Sequence, residues 1–85
     1  MNKLLVDILL NLRQRLVDST QTGDRAALGE LKITFMILRE ASYSTGSERL
    51  TTILTGLDSS ALEASMGVPW KAPVLSENEI RKLLS

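Results

Sequence analysis

Arg25, Lys32 and Arg39 are the residues of this chain best placed to do chemistry. They recur every seven residues, so on a helix they stack along one face over about 21 Å at 1.5 Å per residue. A cationic rail of that length matches several phosphates along a duplex backbone. Such contacts supply charge but carry no base information, and binding through them falls steeply with salt. The same pattern also describes a solvated helix face, with Glu30 and Glu40 offsetting part of the charge. For a single copy the solvated face is the stronger description. In a ring the stripe is multiplied by copy number, and a neutral subunit then presents a basic zone.

No catalytic arrangement emerges. The chain has neither histidine nor cysteine, which removes the commonest general base, the thiolate nucleophile and the usual transition-metal ligands. Carboxylates pair along the chain (Glu77 with Glu79, Asp7 with Asp18), but acidic residues in a first helical turn complement the helix dipole far more often than they form an acid–base couple. The expectation is a protein that is not an enzyme and holds no cofactor or metal. Trp70, the one tryptophan, stands between Pro69 and Pro73. It suits a rigid aromatic anchor at a partner interface and equally a cover for the chain's own core.

These residues need elements to position them. The 85 residues make one domain of limited burial, for which self-association is a common source of stability. Ten basic and ten acidic side chains cancel, so bulk charge supports neither a strongly basic nucleic-acid binder nor a polybasic membrane binder. The apolar start at residues 4–12 is broken by Asp7 and Asn11 and is far shorter than the ~20 residues of a span. It also lacks the pattern of a secretory leader. The expected setting is soluble and cytoplasmic.

The apolar periodicity predicts an all-α protein. Helix one spans residues 3–19, with Leu5, Leu9, Leu12 and Leu16 as a heptad-like seam and Val6, Leu10 and Val17 as a second row. A polar turn at residues 19–24 leads through the cap Asp24 into helix two, residues 25–42. Its seam is Leu28, Leu31, Phe35 and Leu38, with Ile33 and Ile37 beside it. The short connection predicts an antiparallel hairpin of these two helices. Stripes this wide imply burial between subunits as well as within one. Gly29 suggests a close helix approach.

A third, shorter helix begins at a capping box on Thr45 and Glu48 and carries Leu50, Ile53, Leu54 and Leu57. A break or restart is expected at residues 58–60, giving either one bent helix or two short ones, and the helix ends near residues 66–67. Residues 68–74, with two prolines, cannot be helical throughout. Residues 76–85 form a small amphipathic helix. Ser76 caps it, Glu79 reaches back to the cap's backbone N–H, and Ile80, Leu83 and Leu84 share one face. The expected organisation is a helical oligomerisation core (1–66), a Pro/Trp-containing linker (67–75), and a tethered terminal helix (76–85). That helix would meet a partner through Ile80, Leu83 and Leu84, with Trp70 as anchor.

Two segments carry a family resemblance: Ile53-Leu-Thr-Gly-Leu-Asp-Ser-Ser-Ala-Leu-Glu63 and Leu75-Ser-Glu-Asn-Glu-Ile-Arg-Lys-Leu-Leu84. They resemble the small terminase subunits, or DNA maturase A proteins, of short-tailed podoviruses. That family shows a similar Ile-Leu-x-Gly-Leu…Ala-Leu-Glu stretch and a similar acidic-start terminal helix. The resemblance covers about a quarter of the chain. It implies a non-catalytic subunit, in the host-cell cytoplasm, that assembles into a homo-oligomeric ring and engages concatemeric double-stranded viral DNA. It further implies regulation of the ATPase and nuclease of the large terminase, met by the segment after Gly67. The chain departs from the family in lacking a strongly basic segment, which weakens sequence-specific DNA binding more than ring assembly. The rival expectation is a small helical protein–protein module without DNA contact: a host-enzyme inhibitor, anti-repressor or scaffold.

Overall fold

The computed structural model describes residues 2–85. Four α-helices and one 3₁₀ turn follow one another: α1 Lys3–Thr22, α2 Arg25–Ser42, the turn Tyr43–Thr45, α3 Glu48–Ser65 and α4 Glu77–Leu84. Asn2 opens α1, its side chain accepting from the Leu4 N–H at 2.7 Å. α1 runs three residues past the expected end at Ser19. The hydroxyls of Thr20 and Thr22 donate to the carbonyls of Leu16 and Asp18, so residues with turn-like composition are held inside the helix. Gly23, at φ 69°, then ends it. Asp24 finishes one helix and begins the next: its N–H donates to the Ser19 carbonyl at 3.0 Å, and its side chain accepts from the Ala27 N–H at 3.1 Å.

Two expectations about α3 are corrected. Its cap is Ser47, which accepts from the Leu50 N–H at 3.2 Å, while the Thr45 hydroxyl accepts from the Ser47 N–H. There is no break at residues 58–60, because α3 is one helix from Glu48 to Ser65. Asp58 and Ser60 are buried rather than turned outward as caps, and Asp58 spends its carboxylate on Arg39.

The closest helix pair is also not the one expected. α2 packs most extensively against α3, and α1 lies against both with less shared surface. Arg39 meets Asp58, and the hydroxyls of Ser42 and Thr51 stand 2.9 Å apart, so α2 and α3 run antiparallel. The reason lies in α3, which buries Leu50, Ile53, Leu54, Leu57, Ala61 and Ala64 along one side. Its far end carries the small buried residues Ala61 and Ala64, whereas α1 fully buries only Leu9 and Leu16.

The core is completed within one chain. Leu9, Leu16, Leu28, Leu31 and Phe35, expected to be buried within and between subunits, are all buried here within one chain. Leu5, Leu12 and Leu38 are half-buried at its edge. α4 closes the remaining side by packing against α1 and α3. Among the described residues no helix is long and apolar enough to cross a membrane.

Candidate interaction surfaces

The basic rail is shorter than its spacing implies. Arg25 is exposed and Lys32 partly so, and neither forms an ion pair among the described residues. Arg39 is different. Its Nη1 donates to Asp58 Oδ2 at 2.8 Å and its Nη2 to Glu40 Oε1 at 3.2 Å. Asp58 is only 9% exposed, so the Arg39 guanidinium neutralises a carboxylate inside the fold and is withdrawn from any phosphate. What remains is a two-cation edge about 10.5 Å long.

Arg39→Ala is therefore expected to cost about 2–3 kcal/mol, since Asp58 stays buried without the cation beside it. Arg39→Ala combined with Asp58→Ala should cost less than the two single losses added together. A double-mutant cycle by urea denaturation measures this. A coupling near zero would mean that the pair is an exposed ornament.

The terminal helix forms as expected and docks elsewhere. The Ser76 hydroxyl accepts from the Glu79 N–H at 3.1 Å. Glu79 Oε1 takes the Ser76 hydroxyl rather than the cap's backbone N–H. Glu77 and Arg81 pair across one turn at 3.1 Å. Ile80 is 0% and Leu84 5% exposed, both within the chain's own core. Their assignment to a partner is thus corrected. Leu83 alone of the three stays accessible, lining an open groove of about 600 Å³ with Arg49, Glu79, Lys82 and Ser85.

The segment leading to α4 is a strap held at several points. Gly67 ends α3 at φ 71°, and the Val68 N–H returns to the Glu63 carbonyl at 2.9 Å. Trp70 Nε1 donates to the Ser60 carbonyl at 2.9 Å, and the Lys71 N–H to Glu63 Oε2 at 3.0 Å. Arg13 Nε donates to the Leu75 carbonyl at 2.7 Å. Leu75 packs over Gly56, whose missing side chain leaves room for it. Trp70 therefore anchors the strap to α3 and is partly buried against the core. This is in keeping with one of its two expected roles, the cover for the chain's own core.

The surfaces left in water were not singled out by the periodicity. On α1, Leu4 and Ile8 are 66% and 46% exposed. On α2, Ile33 and Ile37 are 53% and 58% exposed. Ile33 and Ile37 lie on the side of α2 turned away from Leu31 and Phe35, where Ala26 is also exposed. Gly29 opens beside them, with no atom within 4 Å of where its Cβ would stand, so it serves no helix contact inside the chain. The signal was present: Ile33 and Ile37 are out of phase with the buried seam by about half a turn. A third patch, Leu62, Met66 and Val68, lies at the end of α3.

Comparison of the chain with protein-family models, with curated protein sequences and with solved structures found no match in any of the three.

Proposed function

We propose that this protein is a non-catalytic, ring-forming DNA-packaging adaptor of the small-terminase kind. One observation carries the reading: a chain that buries its own core still leaves Leu4, Ile8, Ile33 and Ile37 in water. Aliphatic rows of this sort on a folded unit are characteristic of subunit contacts. The resemblance over residues 53–63 and 75–84 supplies the packaging role. In such a ring each subunit offers Arg25 and Lys32 to DNA phosphates, and repetition around the ring makes up for the neutral charge of one copy. The surface offered to the large terminase is the outer side of α4 and its groove, with Leu83, Lys82 and Arg49. Ile80 and Leu84 are kept for the core.

The equal numbers of acidic and basic residues favour one second reading, a helical protein–protein module that never touches DNA. A gel shift with duplex DNA at low salt separates the two. Wild-type protein should retard the duplex, and Arg25→Ala/Lys32→Ala should weaken the shift. The salt slope should fall by about one for each phosphate that is no longer neutralised. Arg39 is left intact, so a weaker shift cannot come from a damaged core. A duplex that wild-type protein fails to retard would leave the protein–protein module.

A further inference from the structure

The two exposed apolar rows differ in charge. The α1 row, Leu4 and Ile8, continues to Arg15, seven residues beyond Ile8. The α2 row, Ile33 and Ile37, carries Glu30, seven residues before Ile37. Arg15 and Glu30 are both exposed, and neither is in an ion pair among the described residues. Glu40, the other acid on α2's outer side, is already held by Arg39.

We infer that the outer row of α1 in one copy seats against the outer row of α2 in the next, with the two helices antiparallel. This deepens the assembly part of the proposed function, on which it rests, by naming the surfaces that meet. With Ile8 over Ile37, Arg15 reaches Glu30, because both intervals are seven residues, or about 10.5 Å. Asn11 then faces Thr34, and Leu4 faces Ala41. Gly29, with no atom within 4 Å of where its Cβ would stand, leaves space for the approaching helix.

The alternative of α2 against α2 is disfavoured by charge. A two-fold axis between Ile33 and Ile37 sets Glu30 of one copy opposite Glu40 of the other, and like charges brought together across an interface are costly. A contact between two different surfaces is heterologous, so repeating it closes a ring or grows a filament, and does not stop at a dimer.

Ile8→Asp and Ile37→Asp change exposed side chains and should leave the helical circular dichroism signal intact. In sedimentation velocity, wild-type protein should run as a multi-subunit species at about 100 µM, where even a contact of modest affinity is filled. Each variant alone should run as a monomer. Mixed in equal amounts they should form a two-subunit species and nothing larger, because one supplies an intact α1 row and the other an intact α2 row. Arg15→Glu or Glu30→Arg alone should raise the assembly concentration about five- to tenfold, and the double swap should restore it. A monomeric wild type, a variant of wild-type mass, or a mixture that stays monomeric would each overturn the contact. If wild type assembles while both variants also assemble, this contact falls and the ring adaptor stands. If assembly behaves as expected but DNA is not retarded, the contact stands and the adaptor falls.

Discussion

Deleting residues 74–85 is expected to abolish cooperative unfolding. The deletion removes Ile80 and Leu84, two side chains almost wholly withdrawn from water, together with half-buried Val74, Leu75 and Leu83. Fully burying an aliphatic side chain stabilises by about 1.5–3 kcal/mol. Burial in this segment is thus worth roughly 5–10 kcal/mol before the entropy of ordering it is set against that gain. A domain of 85 residues has a total stability of about 4–13 kcal/mol. The burial lost is comparable with that whole margin, and the core of α1 and α3 is left open to water where α4 covered it. Arg13 Nε would also lose its acceptor at the Leu75 carbonyl. A thermal melt followed by circular dichroism should change from a sigmoid to a shallow slope, and a hydrophobic dye should bind the truncated chain. Ile80→Ala is the single-site version, with an expected cost of about 3 kcal/mol. A truncated chain that melts cooperatively near the wild-type temperature would mean that α4 is an appendage.

That result separates what local pattern reveals from what only packing decides. The bounds of α2 were legible because Asp24 is a strong cap beside a clean seam of Leu28, Leu31 and Phe35. Helix α4 was legible for the same kind of reason, since Ser76 and its first-turn acids mark a start. Where α4 docks was not legible, because an amphipathic helix of eight residues specifies that it needs an apolar surface and not whose surface. The break expected at residues 58–60 followed from cap-like residue types, and the deciding partner of Asp58 lies nineteen residues away. The same distant pair removed Arg39 from the rail. The choice of α3 over α1 as the main partner of α2 was likewise hidden, since both helices offer apolar seams. The outward face of α2 was readable in principle from its phase, but the apolar pattern sets Ile33 and Ile37 beside the seam, as part of one wide stripe, and not on the side turned away from it.

Phe35→Ala is expected to lower stability by about 4 kcal/mol, the second large effect. Phe35 is the one phenylalanine in the chain and stands fully buried on α2, the helix that packs most extensively against α3. Its removal forfeits transfer energy and leaves a void that neighbouring leucines fill only in part. Ile37 lies two residues along the same helix and is more than half exposed. Ile37→Ala should move the stability of a dilute protomer by no more than about 0.5 kcal/mol. Urea denaturation of both variants at low protein concentration makes the comparison, with equal slopes showing that both unfold from the same folded state. A large midpoint shift for Phe35→Ala and almost none for Ile37→Ala follows if the inner face of α2 holds the fold and the outer face is free for a neighbour. Comparable losses for both would mean that Ile37 is also part of the core, and the outward row would then be unavailable for assembly.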